Sequence, residues 1–396
     1  MKISFSIVFI LIMIVPCLVF ANTTQPIVSA NNDFGFRLFQ ELIRQEGIEN
    51  NFISPTSIAM ALAMTYNGAQ TETKKAMAQT LGVSELSLLE FNQANLALRN
   101  HLKKSSKKIR LTIANSLWAD KGTRFKKDFL KANKKYYSAQ ISTLDFAAPK
   151  SASTINDWVS KNTQGKIPKI LDQIGEDVVA ILINAIYFKG DWQNEFEPEA
   201  TFERTFYCLD GKEKKHPMMY QQDRYLYLSD EKFEAVALPY ENNQMSMYLF
   251  LPSEKSDIKD FLENLDYQNW QQWLGLFETR EGNITLPRFK IEYEKSLKNT
   301  LAAIGMEIAF TENADFTKMA ASDIKGNIYI GDVKHKTFIE VNEQGTEAAA
   351  ITSVHMEIKG APMTSFSLLF NRPFLYAIVD NQTGSILFMG VLSEPK

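Results

Sequence analysis

The side chains able to do catalytic chemistry are few in this sequence, and their spacing matches no familiar catalytic motif. The four histidines, His101, His216, His335 and His355, stand far apart along the chain. The sequence contains no HExxH zinc motif, no GxSxG nucleophile elbow, no GxxxxGK phosphate loop and no pair of cysteine ligands. A Ser-His-Asp site stays open, because such residues meet only in the fold. Residue types and spacing therefore favour a function other than catalysis.

The most informative stretch of the sequence runs from Glu343 to Lys359 and reads EQGTEAAAITSVHMEIK. From Thr346 onward, every second residue is small or apolar, and the residues between them are mostly polar. This period of two predicts a strand with one face suited to burial. The buriable set is Thr346, Ala348, Ala350, Thr352, Val354 and Met356.

The same stretch has features that disfavour an ordinary strand. Alanine is a poor strand former, and Lys359-Gly360-Ala361-Pro362 ends any regular element. One turn of alanine-rich helix at Thr346 to Ala350 is the alternative, but the β-branched residues that follow disfavour a longer helix. We therefore expect a segment that fits between the strands of an existing sheet better than it forms a strand unaided.

The first 21 residues have the composition of a secretory signal peptide. Lys2 precedes a mostly apolar run from Ile3 to Phe20, which ends in Val19-Phe20-Ala21. A soluble mature protein is predicted to begin near Asn22, secreted to the extracellular space, or to the periplasm if the source is a Gram-negative bacterium. Cys17 leaves with the signal, so Cys208 alone remains and no internal disulfide is possible.

Length and charge predict one large domain over residues 22–396. The chain has 396 residues, a net charge of -3, no low-complexity tract and no linker rich in Pro, Gly or Ser. This charge makes no general case for a nucleic-acid partner. Three Asn-x-Ser/Thr sites, at Asn22, Asn283 and Asn381, are glycosylation sites only if the source glycosylates.

Helical periodicity dominates the first third of the chain, and strand-like runs dominate the remainder. Helices are predicted at 32–45, from Ser54-Pro55 to Met64, and at 85–104, 126–137, 154–163, 258–265 and 295–304. Strands are predicted at 111–118, 178–188, 235–239, 245–251, 282–291, 336–341 and 387–391. Helices first and strands later, without strict alternation, predict an α+β domain built on large mixed sheets.

Several separated motifs in this chain resemble those of the serpins, over nearly the whole mature length. In order they are Asn51-Phe52-Ile53-Ser54-Pro55-Thr56-Ser57-Ile58, Ala69-Gln70-Thr71-Glu72-Thr73, Asn184-Ala185-Ile186-Tyr187-Phe188-Lys189-Gly190-Asp191-Trp192, Leu286-Pro287-Arg288-Phe289, His335-Lys336, Glu343 to Ala350, Asn371-Arg372-Pro373-Phe374 and Ile386-Leu387-Phe388-Met389-Gly390. Each motif alone is weak, but their joint order and spacing are specific.

This resemblance implies a monomeric inhibitor of serine proteases with three β-sheets, about nine helices and an exposed reactive-centre loop at about 343–370. A protease cleaves the loop as a substrate, and at the acyl-enzyme stage the freed segment inserts into the central sheet and traps the protease covalently. No metal or organic cofactor is implied. The alternatives are a non-inhibitory serpin that acts as a carrier or chaperone, and a hydrolase of unrelated fold.

The resemblance also assigns residues to the steps of this cycle. The hinge consists of Glu343, Gly345, Thr346, Glu347, Ala348, Ala349 and Ala350. Ser54, Ser57, Asn184 and His335 match the shutter, a polar cluster where the strands part, and Trp192 and Arg288 match the breach at the top of the sheet. Without the resemblance, Ser54 is an ordinary helix cap and His335 a satisfied core histidine. A pair between Arg288 and Glu343 is also predicted, although surface ion pairs often contribute less than about 1 kcal/mol.

Counting from the hinge glycine, as the resemblance implies, predicts cleavage between Lys359 and Gly360. A lysine at this position suits a trypsin-like protease, because a desolvated ammonium needs an opposite charge in the specificity pocket. If Lys359 is only a solvated charge, cleavage at Met356 or Met363 by a chymotrypsin- or elastase-like enzyme is the alternative.

Basic residues cluster near the end of the helix predicted at 85–104. They are Lys103, Lys104, Lys107, Lys108 and Arg110, and five further lysines lie between 126 and 135. In some serpins the matching helix binds heparin, so a sulfated polyanion is a candidate partner. The simpler interpretation is a solvated helix face.

Overall fold

The structure, a computed structural model, describes residues 5–104, 108–175, 178–254, 257–322, 327–346 and 366–396, with side chains from residue 23 onward except at 322. This part of the chain contains nine α-helices and three sheets, which confirms the predicted α+β class and the numbers of helices and sheets that the resemblance implied. The helices are α1 (Phe5–Glu46), α2 (Pro55–Tyr66), α3 (Thr71–Thr80), α4 (Leu88–Leu102), α5 (Lys127–Tyr137), α6 (Ser151–Asn162), α7 (Ile258–Glu263), α8 (Tyr267–Leu274) and α9 (Lys298–Leu301).

Seventeen strands lie in the described ranges. They are β1 (Phe52–Ile53), β2 (Ile109–Asp120), β3 (Thr123–Phe125), β4 (Gln140–Leu144), β5 (Ala180–Asp191), β6 (Phe202–Tyr207), β7 (Glu213–Ser229), β8 (Phe233–Pro239), β9 (Met245–Pro252), β10 (Glu278–Pro287), β11 (Phe289–Ser296), β12 (Ala320–Ser322), β13 (Asp332–Asn342), β14 (Gly345–Thr346), β15 (Phe366–Leu369), β16 (Phe374–Asp380) and β17 (Ile386–Leu392).

Two large sheets carry the architecture. The six-stranded central sheet has the order β11-β13-β14-β5-β2-β4, and β13 also pairs directly with β5. A nine-stranded sheet follows the order β1-β17-β16-β9-β8-β7-β10-β15, with β6 paired to β7. The third sheet is the short pair β12-β3.

Helix α2 lies in the interior, between the central sheet and β17. All its residues are buried, and its sequence PTSIAMALAMTY alternates small with apolar side chains that allow close approach of both neighbours. Ser54 caps its first turn, and Pro55 occupies a position where a missing N–H costs nothing. The buried helix therefore holds polar first-turn residues directly against the central sheet.

Helix α6 covers the opposite face of the central sheet. Its buried residues Ile155 and Val159 pack in one cluster with Ala114 and Trp118 of β2 and with Ile183 of β5. The central sheet is therefore enclosed on both faces, as its continuous apolar strands predict.

Two predicted elements are wrong in detail. Residues 282–291 were expected to form one strand, but β10 ends at Pro287 and β11 begins at Phe289, in different sheets. Residues 295–304 were expected to be helical, but β11 continues to Ser296, and α9 is one turn followed by a wider π-type turn at Ala302–Met306. Apolar periodicity continues through both breaks and gives no signal of them.

Helix α1 continues without interruption across the predicted signal cleavage site at Ala21. No helix in the described ranges combines the length and apolarity needed to span a membrane. The signal peptide itself stays a prediction.

Candidate functional site

The chain reverses direction at the end of β13 and enters the central sheet again. Glu343 and Gln344 form the turn, and Asn342 supports it by accepting hydrogen bonds at Oδ1 from the backbone N–H groups of Gln344 (3.1 Å) and Gly345 (3.3 Å). Strand β14 then runs antiparallel to β13 on one side and to β5 on the other. Its two residues form the first rung of an additional strand between β13 and β5.

Gly345 is required at this turn for two physical reasons. Its φ of +152° is a conformation that L side chains rarely adopt. A Cβ here would also overlap Gly190 O and lie 2.7 Å from Asp191 Cα, both in β5. The glycine therefore lets the returning chain approach β5 closely.

Thr346 is fully buried as soon as the chain enters the sheet. Its hydroxyl and that of Tyr240 share a hydrogen bond of 2.7 Å. Tyr240 in turn stacks on Trp192, with ring centroids 4.6 Å apart. Thr346, a predicted hinge residue, is thus anchored beside two stacked aromatic side chains.

The predicted breach residues meet at the same end of the sheet. The Arg288 guanidinium donates to both carboxylate oxygens of Glu343, with Nε at 2.7 and 2.9 Å, so the predicted contact is present. Trp192 donates from Nε1 to Asn342 O (3.0 Å) and from its backbone N–H to Gln344 O (2.8 Å). These bonds hold the turn, and hence the start of the loop, in register.

Beyond the residues that flank β14, β13 and β5 pair directly with each other. They pair in parallel from Asp332 opposite Ile181 to Phe338 opposite Tyr187. We call this pairing the seam. It must open if the chain beyond Thr346 is to continue between the two strands.

The predicted shutter residues form one buried hydrogen-bonded network across the seam. His335 and Asn184 are register partners, and His335 Nδ1 and Asn184 Oδ1 are 2.5 Å apart. Asn184 Nδ2 donates to Ser57 Oγ (2.5 Å) and to Asn115 Oδ1 (2.5 Å). Ser54 donates from its backbone N–H to His335 Nε2 (3.3 Å) and from its hydroxyl to Leu387 O (2.5 Å).

This network requires a neutral His335. Because Nε2 accepts from Ser54, the proton of the imidazole lies on Nδ1 and is donated to Asn184. Complete burial lowers the pKa of His335 to about 3. The helix-cap interpretation of Ser54 also holds, since its hydroxyl accepts from Ser57 N–H at 3.4 Å.

The other end of the loop is anchored in a different sheet. Strand β15 begins at Phe366 and pairs in parallel with β10. The remaining hinge residues Glu347, Ala348, Ala349 and Ala350, the predicted bond Lys359-Gly360 and the alternatives Met356 and Met363 lie outside the described residues.

The predicted basic cluster is only partly described. Lys103 and Lys104 are exposed after α4, Lys108 lies 3.5 Å from Glu241, and Arg110 donates to Gln164 (2.7 Å). Lys107 lies outside the described residues. Within them, no three His, Cys, Asp or Glu side chains are grouped so as to hold a metal ion.

Sequence reasoning missed two residues of this site, Asn115 and Tyr240. Asn115 lies on β2 within a predicted strand, and a polar residue in a buried run is the signal that was available. Tyr240 follows β8 directly and carries no such signal.

Comparison with known proteins identifies the family. The family model described as serpin (serine protease inhibitor) matches residues 29–395. The chain belongs to the serpin family. This confirms the resemblance and groups the chain with protease inhibitors, not with enzymes.

Named relatives of this serpin include inhibitors. Serpin B6 of Pongo abelii is 34% identical over 379 residues, covering 93% of this chain and 99% of that protein. Leukocyte elastase inhibitor of Homo sapiens is 34% identical over 387 residues, with the same coverage.

Solved serpin structures match the fold closely. The thermophilic serpin tengpin in its native state has a TM-score of 0.86 and 36% identity, covering 93% of this chain and 94% of tengpin. Human thyroxine-binding globulin complexed with thyroxine has a TM-score of 0.87 and 26% identity, covering 94% of this chain and all of the globulin.

Proposed function

We propose that this serpin is a suicide-substrate inhibitor that traps a serine protease by inserting its cleaved loop into the seam. The observation that carries the proposal is β14, which already points the chain down between β5 and β13 and buries Thr346 there. Cleavage beyond it would free this end of the loop, while β15 keeps the other end fixed.

The register of β14 defines how an inserted strand would lie. Continued residue by residue, the antiparallel pairing brings Ala348 opposite Phe188 and Ala350 opposite Ile186. In the inserted strand these alanines would face the aromatic and aliphatic interior, so little volume would have to be accommodated as the seam opens. Small residues would therefore occupy the positions next to Phe188 and Ile186 in the inserted strand.

In an inserted strand the same register would bring Thr352 between Asn184 and His335. An even number of residues separates Thr352 from Thr346, so both side chains would lie on the same face of the inserted strand. The Thr352 hydroxyl would then point into the polar network. Opening the seam breaks the His335–Asn184 hydrogen bond, and the Thr352 hydroxyl offers a replacement partner to both groups. The network can thus be satisfied in both states, which lowers the cost of the transition.

Insertion is energetically favourable by this account. About a dozen inserted residues form roughly as many ladder hydrogen bonds, each worth about 1 kcal/mol net, and bury further side chains. A driving free energy on the order of 10 kcal/mol results. This free energy is not released while the loop is intact, because an uncleaved chain is held at both ends and cannot insert fully.

A matched pair of arginine substitutions tests this mechanism. Thr346→Arg forces a guanidinium beside the Tyr240 hydroxyl as the sheet closes, so the variant should become a substrate. Gln344→Arg adds the same side chain at the half-buried turn and should remain an inhibitor.

Incubation with trypsin followed by denaturing electrophoresis separates these outcomes. Wild type and Gln344→Arg should form a denaturation-resistant adduct, whereas Thr346→Arg should only be nicked. An adduct with Thr346→Arg at wild-type stoichiometry would refute trapping by insertion. Nicking of all three proteins without adduct would favour the non-inhibitory alternative, a carrier or chaperone; thyroxine-binding globulin, which matches this fold, is named for binding a small molecule.

We also infer a trypsin-like target from Lys359. The name of the leukocyte elastase inhibitor relatives makes cleavage at Met356 or Met363 the competing assignment. N-terminal sequencing of the released fragment decides, because it starts at Gly360 after cleavage at lysine and at Glu357 or Thr364 after cleavage at methionine.

Secretion and polyanion binding complete the proposal. Secretion rests on the signal-like residues 1–21, and detection of a mature N-terminus near Asn22 in the medium tests it.

Polyanion binding rests on the exposed lysines after α4 and on the structure of protease nexin-1 with heparin, 26% identical to this chain. Failure to bind a heparin column at about 0.15 M salt would rule it out.

A further inference from the structure

A cavity of about 210 Å³ lies beside the central sheet, away from the loop. It is enclosed by α4, α5, α6, β2 and Met60 of α2. Its apolar wall comes from Met60, Leu102, Leu111, Ile113 and Trp158. Lys103 and Ser138 are its exposed lining residues and form the mouth.

The charge in this cavity is unbalanced. Arg99, on the last turn of α4, has its Nε and Nη1 atoms buried without a hydrogen-bond partner among the described residues. Burial lowers the pKa of Arg99. Burial, and then the charge of Arg99, lower the pKa of Lys103. None of the residues described as lining the cavity is acidic.

The buried Nε and Nη1 atoms of Arg99 lack a counter-charge in the cavity, and the second cation, Lys103, lies at its exposed mouth. A buried guanidinium is ordinarily paired with a carboxylate, because an unpaired one loses its hydration without compensation. Its planar N–H groups match a carboxylate in geometry. An apolar cavity that carries such donors on one side has the layout of a ligand pocket.

We propose that this cavity binds a small organic carboxylate, with its anionic group on Arg99 and Lys103 and its apolar body against Trp158, Leu111 and Met60. A cavity of about 150 Å³ holds benzene, so the volume here suits a ring of that size with a carboxylate attached. Benzoate is therefore the probe of choice, and benzamide is its neutral isostere.

The cavity also adjoins the seam. Asn115 lines it and accepts a hydrogen bond from Asn184 (2.5 Å), which in turn contacts His335 across the seam. A ligand in this cavity would therefore contact Asn115, which is hydrogen-bonded to Asn184 in the shutter network.

Calorimetric titration and thermal unfolding of the full chain test the proposal. Benzoate should bind at least about tenfold more tightly than benzamide, because charge-assisted hydrogen bonds to the guanidinium are available only to the anion. It should also raise Tm above a sodium chloride control of equal ionic strength, since it binds the native state.

Variants locate the site. Arg99→Met should remove the preference for benzoate and raise the Tm of the free protein, because an unpaired buried charge is lost. Arg280→Met, an exposed arginine 3.1 Å from Glu278, is the charge-matched control and should bind benzoate as wild type does.

Lys103→Met covers the case in which Arg99→Met does not fold, since Lys103 is exposed, and it should weaken benzoate binding at least several-fold. Equal binding of benzoate and benzamide, or unchanged benzoate binding by Lys103→Met together with any folded Arg99→Met, would overturn the proposal.

Discussion

Replacing Gly345 by alanine is the sharpest perturbation of the hinge. The added methyl group would overlap Gly190 O and lie 2.7 Å from Asp191 Cα, and both contacts are to backbone that cannot rotate away. The residue would also have to hold a φ of +152°. We expect β14 to leave the sheet in the variant.

The size of the effect follows from these two costs and from the escape route. An L residue in such a backbone conformation costs about 1–3 kcal/mol, and overpacking costs about 1–3 kcal/mol more. Expelling β14 instead sacrifices its few backbone hydrogen bonds and the Thr346–Tyr240 bond, at about 1 kcal/mol each. Staying in the sheet would thus cost about 2–6 kcal/mol in total. Because the variant adopts whichever conformation costs less, expulsion of β14 limits its loss to about 2–4 kcal/mol.

Hydrogen exchange and the stoichiometry of inhibition measure this effect. The Thr346 amide should exchange much faster in Gly345→Ala, and more inhibitor should be consumed per protease, because the same contacts obstruct an inserted strand. Gly47→Ala is the matched control. Gly47 has a φ of +84° with no atom near its Cβ position, so this variant carries backbone strain without a clash and lies away from the hinge.

Wild-type protection of Thr346 in Gly345→Ala, with unchanged stoichiometry, would show that close approach to β5 does not govern the hinge. Equal loss in the Gly47→Ala control would show that the effect is general destabilisation.

Two further predictions concern the shutter. The pKa of His335 is about 3 in the folded state and about 6.5 in the unfolded state, so the unfolded state binds more protons between these two values. The free energy of unfolding therefore falls as pH decreases below about 6.5, by up to about 1.4 kcal/mol per pH unit. Denaturant unfolding of His335→Gln between pH 7 and 5 should show a shallower loss than wild type, and identical slopes would contradict this. Thr352→Val should leave the intact protein unchanged but destabilise the cleaved form by about 1–3 kcal/mol, because two buried groups lose a partner. An unchanged cleaved form would show that Thr352 does not reach His335 and Asn184.

Much of the fold was predictable because local periodicity dictates it. The buried helix α2 follows from the Ser54-Pro55 start and an apolar sequence, and β5, β8 and β9 follow from continuous apolar runs. These elements require no knowledge of their partners.

Elements whose pattern depends on tertiary context were not predictable. Strand β7 begins with charged Glu213-Lys214-Lys215, because its start faces solvent, and no strand was predicted there. The break at Arg288 separates two strands that enter different sheets, although the apolar pattern runs through it.

The functional site shows the same division. Motif resemblance pointed to Asn184 and His335, but their contact depends on parallel pairing of strands about 150 residues apart. Likewise, the resemblance assigned Gly345 to the hinge, whereas its close approach to β5 depends on the turn at Glu343 and Gln344. Residue identity indicated the role, and long-range pairing determined the geometry.

Scanning calorimetry of the intact serpin and of the form cleaved at Lys359-Gly360 tests loop insertion most directly. A gain on the order of 10 kcal/mol predicts that cleavage raises Tm by about 10 °C or more for a chain of this size. An unchanged or lower Tm after complete cleavage would contradict insertion of the freed segment into the seam.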